Sequence, residues 1–181
     1  MRKSFISALM ICLLLTGCAR GRGGLEKELS AFRGELRQAE TVQTQTALMW
    51  LEGESVSEYG LLVSQSGGEY RVTVTEPALI AGITAVLREG EGRLEYDGLM
   101  LGVGEPEGFS PVSALPEMLG AMAYGYAELL WREDDCLAAR LWMEEERAMN
   151  LWLREGVPVC AEVQDGGETI LTCRFDDWQI E

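Results

Sequence analysis

The sequence predicts an α+β domain: an antiparallel sheet of many short strands, folded as a barrel or sandwich, with one helix in front and a second helical stretch inserted among the strands. Three observations carry this. Residues 25–40, LEKELSAFRGELRQAE, place Leu25, Leu29, Phe32 and Leu36 on one face at helical spacing. From Thr41 onward, apolar and β-branched runs are cut by turn segments such as EGES, SQSGGE, REGEG and QDGGE, the punctuation of an antiparallel sheet. Residues 110–131, SPVSALPEMLGAMAYGYAELLW, break that pattern and return to helical spacing.

The most regular strand is YRVTVTEP, with Tyr70, Val72 and Val74 on one face and Arg71, Thr73 and Thr75 on the other. Further strands are expected over 41–51, 56–64, 80–87, 93–103 (as one strand or two), 136–143, 147–154, 157–164 and 168–178. In the inserted stretch Ser110 is placed as N-cap and Pro111 at the first helical position. Leu115, Leu119, Met122, Tyr126 and Leu129 continue the helical spacing to about residue 131, and Pro116 is expected to divide two helices.

The start of the chain speaks of location. MRKSFISALMICLLLTG has a basic beginning (Arg2, Lys3), an apolar run from Phe5 to Leu15 and a small-residue end, the layout of a secretory signal peptide. The run is shorter than the roughly 20 residues of a spanning helix. Leu14-Leu15-Thr16-Gly17-Cys18 resembles the bacterial lipobox. That resemblance implies transfer of a diacylglyceryl group to the Cys18 thiol, cleavage before Cys18 and acylation of the new end. Several acyl chains, at about 0.8 kcal/mol per buried methylene, hold far better than one. The expected organisation is a signal peptide over 1–17, a lipidated tether over 18–24 containing Arg20 and Arg22, and one domain over 25–181. The expected place is outside the cytoplasm, anchored to the cell membrane.

Composition narrows the chemistry. The chain of 181 residues is 47% hydrophobic, enough for a sizeable core, and its formal net charge of -15 argues against nucleic acid as a partner. It argues equally against a face lying flat on anionic lipid headgroups. There is no histidine, which removes the commonest general base, the commonest metal ligand and the Ser-His and Cys-His pairs. Glu133-Asp134-Asp135 and Glu144-Glu145-Glu146 lack the alternating spacing of a calcium loop and read as solvated turns. No phosphate-cradling loop, nucleophile elbow or CxxC is present, so no cofactor or metal site is read. Carboxylate chemistry of the glycosidase kind needs only two acids, and nothing marks a pair among the 30. The sequence therefore reads as non-enzymatic.

The order of helix, about six strands, a helical insertion opening with proline, then four strands resembles the LolA/LolB fold of bacterial lipoprotein carriers. EYRVTVTEPALIAGIT, LEYDGLMLG and LTCRFDDWQI look like the corresponding strands in lipoproteins of that fold, including clostridial spore-germination lipoproteins of the GerS type. The resemblance implies a curved, incomplete β-barrel closed by helices that lid an apolar cavity. It implies a protein partner, a cell-wall amidase in GerS-like lipoproteins, or a lipid or lipoprotein cargo in the carriers. The sequence departs from the carriers in lacking a recognisable counterpart of their cavity arginine, and an anchored start differs from a soluble shuttle.

On this fold the inward face includes Tyr70, Val72, Val74, Leu94, Tyr96 and Leu101 from the first strands. Leu141, Met143, Met149 and Leu151 join them from the later ones, with Leu119, Met122 and Tyr126 as lid residues. These residues line an acyl- or segment-binding cavity or fill a core; periodicity admits both. If Met49, Leu141 and Leu151 point inward, Trp50, Trp142 and Trp152 point outward, as interface anchors or beneath an outer helix. Finally, VPVCAEVQDGGETILTCRF reads as a hairpin turning at Gly166-Gly167, in which paired positions place Cys160 opposite Cys173. That makes a Cys160–Cys173 disulfide one expectation and two buried thiols the other; Cys136 is left unpaired either way.

Overall fold

Turn chemistry sets the strand boundaries. In the computed structural model, which describes residues 23–104, 108–143 and 146–181, tight turns separate nearly every neighbouring pair of strands. Helix α1 spans residues 23–38. Six strands follow: β1 (Thr41–Glu52), β2 (Ser55–Ser66), β3 (Glu69–Glu76), β4 (Thr84–Arg88), β5 (Glu91–Tyr96) and β6 (Leu99–Gly104). Helix α2 (Pro111–Tyr124) intervenes. The chain closes with β7 (Ala127–Glu133), β8 (Cys136–Trp142), β9 (Arg147–Arg154), β10 (Val157–Asp165) and β11 (Glu168–Ile180). The signal segment, Cys18, most of the tether and Glu144-Glu145 lie outside the described residues.

The strands form one antiparallel sheet of 11 in the order β6-β5-β4-β3-β2-β1-β11-β10-β9-β8-β7. It does not close: β6 and β7 are its two edges. Both helices pack against a single face. Leu29, Phe32 and Leu36 from α1 and Leu115, Met118, Leu119 and Met122 from α2 share one buried cluster with Leu48, Val63, Val72, Leu141, Met149, Leu151 and Leu171 from the strands. The result is a curved half-barrel with a filled concave face.

Helix α2 is one helix, not two. Ser110 caps it as expected, accepting from the Ser113 N–H while the Ser113 hydroxyl accepts from the Ser110 N–H. Pro116 lies inside without dividing it. Interior proline costs about 3 kcal/mol, and burial of Leu115, Met118 and Met122 outweighs that. The helix also stops earlier than the spacing predicts. At Gly125 an added Cβ would stand 2.6 Å from the Ala121 carbonyl oxygen and 2.7 Å from that of Trp142. The chain leaves the helix there, and residues 127–131, expected to be helical, belong to the edge strand β7.

Two further expectations change. The strand expected over 80–87 is confined to Thr84–Arg88, because turn bonds from the Ile80 N–H to the Pro77 carbonyl and from the Gly82 N–H to the Val74 carbonyl hold the preceding residues out of the ladder. On β1 the buried residues are Val42, Thr44, Thr46 and Leu48, so Trp50 faces inward with them and Met49 faces out. Trp142 and Trp152 lie on the convex face as expected, opposite Ala148 and Ala138 respectively.

Candidate functional site

The concave face is where the fold gathers side chains of different chemistry. Val72, Leu119, Met122 and Met149 are all buried in the central cluster, and Tyr70, Val74 and Met143 pack at its margin. These seven come together, as a packed interior beneath the helices. Tyr96 and Tyr126 do not join them, being 54% and 71% exposed. Tyr96 ends β5, near the turn at Gly82. Tyr126 stands between the end of α2 and the start of β7, where the predicted helix has already stopped.

Open space lies instead beside residues 108–110, at the start of α2. A cleft of ≈ 980 Å³ is lined there by Trp50, Phe109, Ser113, Glu117, Arg147 and Asp165 among others. Trp50 and Phe109 stack with ring centroids 5.5 Å apart. The Arg147 guanidinium sits 4.7 Å above the Phe109 ring and 3.3 Å from a Glu117 carboxylate oxygen on α2. Arg147 is only 9% exposed. Burying this cation is tolerable because the carboxylate and the ring face share its charge. The cleft thus offers an aromatic wall, one neutralised cation and an acidic rim. Sequence reasoning missed Arg147: it opens a strand directly after MEEE, where a charged residue reads as turn surface, and its partner lies on another element.

A second arrangement sits on the convex face. Trp131 of β7 and Trp152 of β9 meet edge to face, with centroids 6.4 Å apart. Both indole N–H groups donate to the same Glu133 oxygen, at 3.1 Å and 2.9 Å. These bonds, from Trp152 first and Trp131 second, hold the Glu133 carboxyl below the usual glutamate range. Further along that face, Arg71 and Arg93 interleave with Glu69 and Glu95 and roof over the buried Val86. Among the described residues no group of three or more metal-ligating side chains is placed to hold an ion.

The expected cysteine pair does not face. The hairpin does turn at Gly166-Gly167, both at positive φ, and Asp165 does oppose Glu168. A bulge between Val163 and Gln164 then shifts the register by one, so Cys160 opposes Arg174 and Cys173 opposes Ala161. A one-residue slip sends the two side chains to opposite faces. Cys173 lies in the core, Cys160 is half-buried, and both are free thiols, as is Cys136.

No protein-family model and no curated protein matches this sequence. Solved structures match it in shape. A conserved protein from Thermus thermophilus shares 14% identity over 86% of this chain and 87% of that one, with a TM-score of 0.52. The structure of the CwlD amidase from Clostridioides difficile in complex with the GerS lipoprotein matches at 13% identity, over 86% of this chain and 95% of that one, with a TM-score of 0.50. The fold is a LolA-like half-barrel. A LolA superfamily protein from Nitrosomonas europaea is also similar, at 12% identity over 86% of this chain and 93% of that one, with a TM-score of 0.47. Identities this low speak for the half-barrel alone, not for its cargo or partners. No described helix is long and apolar enough to cross a membrane.

Proposed function

We propose that this chain is an extracytoplasmic lipoprotein, anchored to the cell membrane through Cys18, that works without catalysis by binding a protein partner through its half-barrel. One observation carries the choice of a protein over a lipid. The concave face is occupied by its own helices, with Met118, Met122, Met149 and Leu151 all at 0% exposure, so the space beneath the helices is already filled. GerS, whose complex with an amidase has this fold among its chains, supports protein partnering, and by analogy a cell-wall amidase is the partner class to try first. A cell-envelope role, including spore-cortex processing, follows from the same analogy. The cleft beside Arg147 favours a second reading, an apolar ligand without negative charge seated against Trp50 and Phe109.

The experiment is a pair. The tagged full chain is expressed in a bacterial envelope, and its co-purifying proteins and lipids are identified by mass spectrometry. Stoichiometric protein without lipid is the expected result; stoichiometric lipid released from the wild type, and lost in Arg147→Ala, would establish the second reading. Cys18→Ala should abolish lipid labelling and leave the signal segment attached.

A further inference from the structure

The two edges of the sheet are unequal. Edge β7 lies alongside α1, tied to it by the Arg132–Glu28 ion pair at 2.6 Å and by Arg33 reaching the Gly125 carbonyl just before it. Among the described residues edge β6 has no such neighbour. Every residue from Leu99 to Gly104 is exposed, including Leu99 at 73%, Met100 at 74% and Leu101 at 64%. Leu99 and Leu101 continue the concave row of Tyr96 and Leu94, while Met100 faces the convex side opposite Glu95. Edge strands are ordinarily protected by charge, proline or cover. Residues 99–104 carry no charge and no proline, and the protection seen among the described residues is a bulge near Gly104.

Its ends are another matter. Asp97 sits in the turn that leads into β6, and Glu91 flanks Gly92, the residue opposite Gly104. Among the described residues neither acid forms an ion pair: Arg88, opposite Glu91 in the ladder, pairs with Glu89, and Arg93 is shared between Glu69 and Glu95. An apolar edge bracketed by unneutralised acids disfavours a second copy of the same strand, which would bring like charges together in a chain of net charge -15. It favours an extended segment of opposite character.

From this we infer that β6 is an augmentation site, at which a partner protein adds an antiparallel strand of alternating apolar residues flanked by lysine or arginine. The inference rests on the partner-binding reading above and assigns it a surface. Main-chain hydrogen bonds along the edge supply affinity, apolar side chains meeting Leu99 and Leu101 fix the register, and the flanking charges select the partner.

The test uses the full chain in detergent and a synthetic peptide of alternating valine and threonine with paired lysines at both ends. Saturable binding is expected, with slowed amide exchange confined to β6. A glutamate-flanked peptide should bind at least about tenfold more weakly. Leu101→Lys, at an exposed position that should leave the melting temperature unchanged, should weaken the lysine peptide by about tenfold or more, and Asp97→Asn should weaken it while reducing its salt dependence. Equal binding of both peptides, or protection elsewhere on the sheet, overturns the inference. So does self-association of the wild type that Leu101→Lys removes, which would give the edge to a second copy. If the wild type captures a stoichiometric envelope protein and Leu101→Lys captures it equally, the site is wrong and the partner reading stands. If the peptide behaves as expected and no envelope protein is captured, the edge stands and that reading falls.

Discussion

Arg33 of α1 donates through Nε to the carbonyl of Met122 at 3.0 Å, in the last turn of α2. Its Nη2 reaches the Gly125 carbonyl, and Arg37, one turn along, reaches that of Ala123 at 2.7 Å. The final carbonyls of a helix have no partners within it, and here a neighbouring helix supplies them. Burial, and after it the adjacent Arg37 charge, lowers the Arg33 pKa from its ordinary value. Arg33→Ala should cost roughly 2–4 kcal/mol in urea unfolding, since two charge-assisted bonds are lost at once. Arg33→Lys should recover only part, because a point charge cannot reproduce the fork.

Two glycines of the same helix should respond in opposite directions. At Gly125 a Cβ meets two backbone oxygens closer than 3 Å, and neither can yield without moving α2 or β8. Gly125→Ala should destabilise by roughly 2–4 kcal/mol. At Gly120 a Cβ meets nothing within 4 Å, so Gly120→Ala should stabilise by about 0.5–1 kcal/mol through helix propensity. Thermal melts of the two variants, run beside the wild type, decide both signs.

The thiols should label unequally. Burial pushes the Cys173 thiol far up, the nearby Cys160 adding a little, and the side chain is inaccessible in the folded state. Alkylation of the unreduced native protein should modify Cys160 and spare Cys173, and unfolding without reductant should then expose Cys173 as a free thiol. A recovered Cys160–Cys173 bridge would mean that the bulge at Val163 is absent.

Glu133 gives a pH signature. Its folded pKa is held below the ordinary value of 4.5 by the two indole donors. The stabilisation is therefore present above the ordinary carboxylate range and is lost as pH falls through the lowered folded value. Tryptophan emission should show an acid transition with its midpoint below 4.5. Glu133→Gln should remove it, and a transition persisting in that variant would assign it to another group.

Much of the architecture was legible because turn residues punctuate it: the boundaries of β1, β2, β9, β10 and β11 fall within about two residues of those expected. The helical spacing of Leu29, Phe32 and Leu36 foretold the buried face of α1. What failed did so for identifiable reasons. The spacing of Leu119, Met122 and Tyr126 runs on past Gly125, and only the approach of the Trp142 carbonyl shows why the helix must end there. The inward face of β1 was inverted because Thr44 and Thr46 are buried, Thr44 donating to the Asp176 carbonyl at 2.9 Å, so the apolar ALMWL gave no true alternation. The cleft was invisible because it joins Trp50, Phe109 and Arg147 from three separate parts of the chain.

The strand order has a kinetic corollary. On either side of the β1–β11 pairing, every strand lies beside its neighbour in sequence, so the sheet is two meanders joined at one seam. Within each meander the contacts are local hairpins, which form on the order of microseconds. Partners across the seam, such as Val42 and Ile180, are separated by nearly the whole domain, and the chain entropy of bringing them together precedes any reward. Seam formation should therefore set the folding rate. Leu48→Ala, at the seam, should slow refolding in stopped-flow measurements, whereas Leu137→Ala, far out in the second meander, should chiefly accelerate unfolding.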